Sequence, residues 1–137
     1  MVSSSALVCL DVGEKRIGVA VADTSVCIAV PYDTIVVDGN ELEAIAKIIV
    51  TENADTLVVG YPRNQAGEPT AQTRYVEAFV ATLTDITANI VFQDESLTSV
   101  LAEQQLVSYK RPYSKGDIDA RAAAIILQDY LEIHYAR

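Results

Sequence analysis

Hydrophobic and polar positions change their period several times along this chain, and each change marks an element. Ala6 to Asp11 is an apolar run closing at Asp11-Val12-Gly13, and Arg16 to Asp23 is short and rich in β-branched residues. Two strands joined by a tight turn at Gly13 to Lys15 are predicted. A third apolar stretch, broken by Pro31, predicts a strand over Thr34 to Val37 that stops at Asp38-Gly39-Asn40. The period then becomes helical. Asn40 and Glu43 have the spacing of a capping box, and Leu42, Ile45, Ala46 and Ile49 fall on one face of a helix over Glu41 to Glu52. Thr56 to Val59 predicts a fourth strand, stopped by Gly60-Tyr61-Pro62 and followed by a polar loop containing Gly67 and Pro69. Val76, Phe79, Val80 and Leu83 repeat the helical spacing, and Ile90 to Phe92 predicts a fifth strand. A helix over Ser96 to Ser108, a loop over Arg111 to Gly116 and a helix over Asp117 to His134 complete the chain.

The order βββαβαβαα implies an α/β fold, a five-stranded mixed sheet with helices packed on its faces. Ala6 to Leu10 is apolar at every position, the pattern of a central strand covered on both sides. The last helix carries Ala120, Ala123, Ala124, Leu127, Tyr130 and Leu131 on one face, with Ile118, Ile125 and Ile126 outside it. Such a helix is wedged between other elements. With 137 residues and no internal repeat or linker, one domain over 1–137 is expected.

Composition narrows the class. Half the residues are hydrophobic and 21% are charged, which excludes a disordered chain and supplies a core without disulfides. Cys9 and Cys27 sit in apolar runs and read as core residues. Met1 to Ala6 lacks the basic start and apolar core of a signal peptide, and no apolar stretch approaches the ~18 residues of a membrane span. A reduced, cytoplasmic setting without membrane contact is expected.

The net charge of −9 argues against simple electrostatic binding of nucleic acid, but the ten basic residues are unevenly placed. Lys15 with Arg16, Arg63 with Arg74, Lys110 with Arg111, and Lys115 with Arg121 lie next to the acidic motifs, and suggest a basic rim on an acidic body. The loop from Gly60 to Pro69 is expected to border the site, with Arg63 and Asn64 offering donors to phosphate oxygens.

Three acidic groups carry the candidate chemistry. Asp11 ends the first strand in apolar surroundings, where a carboxylate must cap the turn, be hydrogen-bonded or bind a metal. Asp94-Glu95 follows the fifth strand, and alternation sends these two side chains to opposite sides, with the longer Glu95 better able to reach Asp11. Ser114 and Asp117 have capping-box spacing at the start of the last helix, whereas Asp119 points about 200° away and needs another role. Brought together, such carboxylates form a hard oxygen site suited to Mg²⁺ or Mn²⁺, and two ions about 4 Å apart would serve phosphodiester hydrolysis. His134 is the sole histidine and lies near the C-terminus, which disfavours a histidine-centred triad or a zinc site.

Leu10-Asp11-Val12-Gly13 with Lys15-Arg16-Ile17-Gly18-Val19-Ala20, then Val58-Val59-Gly60-Tyr61-Pro62 with Gly67, then Asp94-Glu95-Ser96-Leu97-Thr98, then Lys115-Gly116-Asp117-Ile118-Asp119 with Ala122 and Ala123, resemble the YqgF or RuvX family. That family is also described as Holliday-junction-resolvase-like and as pre-16S rRNA nucleases. The resemblance spans almost the whole chain, with the motifs in the same order. It implies a ribonuclease H-like fold, a cytoplasmic nuclease that matures the 5′ end of 16S ribosomal RNA, and a metal site made of Asp11, one acid of the Asp94-Glu95 pair, and Asp119. Where the family carries Arg after the Asp-Glu pair, this chain has Ser96, which implies either reduced nuclease activity or that Arg63, Arg74, Lys110 and Arg111 supply the missing charge.

Nucleic acid is therefore the expected partner, a ribosomal RNA precursor first and branched DNA second, with the oligomeric state open between monomer and homodimer. A non-catalytic module docking on ribosome precursors is the alternative from another class. Asp11-x-Gly13 followed by Gly18 also resembles the first phosphate loop of actin-like ATPases and sugar kinases, but those use two such domains and this length provides one.

Overall fold

A computed structural model of the chain describes residues 5–64, 66–87, 89–95, 98–108 and 113–135. Its elements are β1 (Ala6–Val12), β2 (Arg16–Asp23), β3 (Val30–Val36), α1 (Glu41–Glu52), β4 (Ala54–Pro62), α2 (Ala71–Ala81), β5 (Ile90–Glu95), α3 (Thr98–Ser108) and α4 (Lys115–His134). The strands form one sheet in the order β3-β2-β1-β4-β5. β1, β2 and β3 are an antiparallel meander, while β4 and β5 run parallel to β1. β1 is thus central, as its unbroken apolar run requires.

Alternation along the strands divides the core into two layers. Val8, Leu10, Val12, Ile17, Val19, Ile35, Leu57 and Val59 face α1 and α2, where Ile45, Ile48, Ile49, Val76, Val80 and Leu83 cover them. Leu7, Cys9, Ala20, Ala22 and Val58 face α4, covered by Ala123, Ala124, Ile126, Leu127, Tyr130 and Leu131. The other side of α4 packs on α3, so the last helix lies between α3 and the sheet. Four alanines, Ala120, Ala122, Ala123 and Ala124, are all buried and let its first half approach the strands closely.

Several boundaries differ from the sequence pattern for identifiable reasons. β3 begins at Val30 and passes through Pro31, which is tolerated because β3 is an edge strand and the register shifts beside it. β4 runs on through Gly60-Tyr61-Pro62, and β5 through Asp94-Glu95, because Tyr61 pairs with Asp94 and Pro62 with Glu95. The acidic pair therefore belongs to the strand instead of following it. At α1 the Asn40–Glu43 capping box does not form; Asn40 makes no side-chain cap bond, and Glu41 Oε1 instead accepts from Gly39 N at 2.9 Å. At α4 the Ser114–Asp117 box does form, which starts the helix at Lys115 and not at Asp117. An unanticipated Thr70–Thr73 box opens α2. Cys9 is buried in β1, but Cys27 lies outside any strand, half-buried in the β2–β3 connection with φ 60°. Ser96, Tyr109, Lys110, Arg111 and Pro112 fall outside the described residues.

Candidate active site

The carboxyl ends of the three parallel strands meet at one end of the sheet. Ligands of open α/β sheets gather outside such strand ends. Asp11 is the penultimate residue of β1 and shares a face with Cys9, the face that α4 covers. On β5 that same face carries Val91 and, by alternation, Gln93 and Glu95. Asp11 and Glu95 thus meet beneath α4 and share a side-chain hydrogen bond.

Two glycines make room for this meeting. Gly18 pairs with Asp11 across the β1–β2 ladder, and a Cβ there would overlap the backbone carbonyl of Asp119. Absence of that atom lets the start of α4 settle on β2, bringing Asp119 over the sheet beside Asp11. On the other flank, a Cβ at Gly60 would overlap the Glu95 carboxylate and touch Ile126 Cδ1. The glycines therefore hold space for Asp119 on one side of Asp11 and for Glu95 on the other.

Low polarity around the pair shifts both acids. Burial, then the charge of Asp119, raises Asp11 from 3.8 to about 6, against a hydrogen bond from Glu95 that lowers it. Glu95 rises from 4.5 to about 8, through burial first and then the charge and hydrogen bond of Asp11. Both shifts favour the protonated form, and the two carboxyls titrate as a pair. The neighbouring Cys9 thiol is pushed well up by burial and by both acids, which keeps it protonated and unreactive.

Asp119 is held differently. Arg16 Nε donates to its Oδ2 at 2.5 Å, a contact between residues 103 positions apart that ties the β1–β2 turn to α4. Among the described residues no group of three His, Cys, Asp or Glu side chains stands close enough to hold one ion. In this arrangement Asp11 and Glu95 are joined, and Asp119 is beside them under the control of Arg16.

Asp94 does not join the pair in this structure. It faces the other side of the sheet and meets Arg63 Nε at 3.2 Å. The predicted basic rim is partly committed in the same way. Arg16 is bonded to Asp119, and Arg63 also lies over the Tyr61 ring at 5.0 Å. Asn64 shapes its own loop, its Oδ1 accepting from Glu68 N at 2.9 Å. Lys15 in the β1–β2 turn, Arg74 on α2 and Lys115 at the start of α4 are exposed, and Lys110 and Arg111 lie outside the described residues. Sequence reasoning missed Gln72, whose Nε2 donates to the Val12 carbonyl at 3.0 Å and pins α2 over the end of β1. It also missed the work of Gly60, although a lone small residue after Val58-Val59 was a readable signal.

Residues 5–133 match the family model described as RuvX, Holliday junction resolvase. The chain belongs to the RuvX family. A curated relative from Chloroflexus aurantiacus, provisionally named a pre-16S rRNA nuclease, is 40% identical over 131 residues, covering 92% of this chain and 86% of its own. A relative from Synechocystis with the same provisional name is 40% identical over 129 residues, covering 90% and 85%. Among solved structures, Thermus thermophilus RuvC in complex with a Holliday junction substrate aligns with a TM-score of 0.56 at 11% identity, over 93% of this chain and 94% of that one. The RuvX chain therefore has a ribonuclease H-like fold.

Proposed function

We propose that this RuvX chain is a single-domain, metal-dependent nuclease that hydrolyses phosphodiester bonds, with the 5′ region of precursor 16S ribosomal RNA as its substrate. One observation carries the reading: Asp11 and Glu95, from two parallel strands, meet at the strand ends, with Asp119 brought beside them by the close seating of α4 on Gly18. Buried acids are costly, and two that meet at the strand ends, with a third held beside them by Arg16, have a use that cohesion of the core does not supply. The names of the relatives supply the substrate class.

The chemistry of the donors, though not the present spacing of all three, suits a hard divalent cation. All three groups are carboxylates, and a cation would favour their ionised forms against the burial, and then the neighbouring charge, that now raise Asp11 and Glu95. Asp11, Glu95 and Asp119 would hold Mg²⁺ or Mn²⁺, which when bound supplies charge neutralisation and an activated water. The chain's own residues do the rest. Arg16 steadies Asp119 and places a guanidinium at the lip of the site, where phosphate oxygens compete for it. Lys15 and Lys115 are exposed and would attract the backbone of the substrate. Ile126, fully buried, packs beside Gly60 next to Glu95.

The family model's own description favours a four-way DNA junction as the second substrate. The deciding experiment incubates the protein with Mn²⁺ or Mg²⁺ and a 16S precursor fragment, an unstructured RNA and a four-way DNA junction. Cleavage of the precursor that needs the cation and is absent in Asp11→Asn supports the reading. Equal cleavage by Asp11→Asn removes the catalytic assignment and leaves a binding module.

A further inference from the structure

Behind the acid pair, on the opposite side of β5, the sheet edge carries an aromatic cleft that the proposed hydrolysis does not use. Its volume is about 430 Å³, within the ~300–1,000 Å³ range of small-ligand sites. Tyr61 and Phe92 form its floor as an edge-to-face pair with ring centroids 4.9 Å apart. Phe92 remains 44% exposed, an unusual cost for a large aromatic residue on a strand. Gln93 and Ile133 bring the cleft round the edge of β5 towards the α4 side.

The platform is braced from two directions. Tyr61 Oη donates to Glu77 Oε2 of α2 at 3.1 Å, fixing the ring from behind. Arg63 lies 5.0 Å from the centre of the Tyr61 ring, and Asp94 holds the guanidinium there at 3.2 Å. Two carboxylates and one guanidinium line the cleft, so phosphate gains little by entering it. A flat, neutral π-system meets no such penalty, and stacking on an exposed ring is how single-stranded nucleic acid is held without sequence preference.

Position completes the argument. Asp94 and Glu95 are consecutive residues of β5 on opposite faces, so the cleft and the acid pair lie back to back across one edge strand. A flexible strand whose phosphate lies at Glu95 has its neighbouring nucleotide within reach of that edge. A paired base cannot turn into the cleft, whereas an unpaired one can.

We propose that the Tyr61–Phe92 cleft receives an unpaired nucleobase next to the phosphate being cut, so that the protein selects single-stranded or flared segments. This rests on the nuclease reading for the position of that phosphate, and its test is a binding measurement that needs no cleavage. A short single-stranded RNA carrying 2-aminopurine is titrated, without divalent cation, into the parent, Phe92→Leu and Phe92→Tyr, each first shown to melt as the parent does. Stacking predicts quenched 2-aminopurine emission with the parent and Phe92→Tyr. Phe92→Leu should bind about tenfold more weakly and leave the emission unquenched. An RNA with an abasic residue at that position should bind the parent and Phe92→Leu alike. If Phe92→Leu binds and quenches as the parent does, or if the parent does not bind the RNA, the cleft is not a base site. A parent that cuts RNA while Phe92→Leu binds unchanged overturns this inference alone. Phe92-dependent quenching in a protein that cuts nothing overturns the nuclease reading alone.

Discussion

Asp94 and Glu95 are adjacent acids on one strand, yet they meet opposite physics. Glu95 lies under α4 with Asp11 as its neighbour and is raised to about 8. Asp94 stands on the other face, its side chain 65% exposed, beside the guanidinium of Arg63. A one-residue step in a strand exchanges one face for the other, so identical chemistry becomes a strained, proton-holding group or an ordinary surface charge. Which acid can serve a site is decided by the layer it faces. The α4 layer ends in carboxylates with glycines between them, while the opposite face at the same strand ends carries an aromatic platform and an ion pair.

The largest test of that contrast is Glu95→Gln. A carboxyl raised by burial means that the folded chain retains protons the unfolded chain releases. Its stabilising contribution is complete below about pH 4 and is lost as pH climbs through about 6 for Asp11 and about 8 for Glu95. In the absence of metal, the parent should therefore lose stability across that window. Glu95→Gln keeps the shape without the charge, so it should match the parent near pH 4 and exceed it by about 2 kcal/mol at pH 8.5. Cleavage by this variant should fall to background. Thermal melting across pH 4 to 8.5 with a chelator checks the first part, and a variant curve parallel to the parent's would break the account of the pair.

Glycine substitutions sharpen the comparison on the inner face. At Gly18 the obstacle is the backbone of α4 at Asp119, which cannot move without the helix, so Gly18→Ala should cost about 3 kcal/mol in urea unfolding. At Gly60 the obstacles are the ends of two side chains, the Glu95 carboxylate and Ile126 Cδ1. Those can swing aside, and Gly60→Ala should cost only about 1 kcal/mol while displacing Glu95 and losing most cleavage. Equal stability losses at the two positions would mean that the start of α4 is less tightly seated than its contacts imply.

How much of this was readable from sequence follows from the range of the signals. An unbroken apolar run places β1 at the centre, and alternation alone separates Asp94 from Glu95, because both are local rules. Asp11 stands out as the lone charge in an apolar run. The ends of β4 and β5 were not readable, since Pro62 and Glu95 extend their strands only by pairing with each other. Nor was the Arg16–Asp119 bond, which depends on a helix docking 103 residues later. The same docking explains why Arg16 reads as a free cation in sequence and is found bonded to Asp119. Cys27 misleads because apolar neighbours on both sides conceal a left-handed turn.

The smallest effect belongs to the outer face. Asp94→Asn removes the charge that faces Arg63 but leaves the strand, the pairing with Tyr61 and the inner acids in place. Both partners are substantially exposed, with side chains 65% and 43% accessible, and such pairs contribute at most about 0.5 kcal/mol. The urea midpoint should barely move. The Mn²⁺ concentration giving half-maximal cleavage should also stay within about twofold of the parent's, because Asp94 faces away from the carboxylates proposed to hold the ion. A clear rise in the Mn²⁺ requirement would place Asp94 among the ligands and erase the distinction between the two faces. An unchanged requirement beside an inactive Glu95→Gln shows two neighbouring acids divided by the pleat of a single strand.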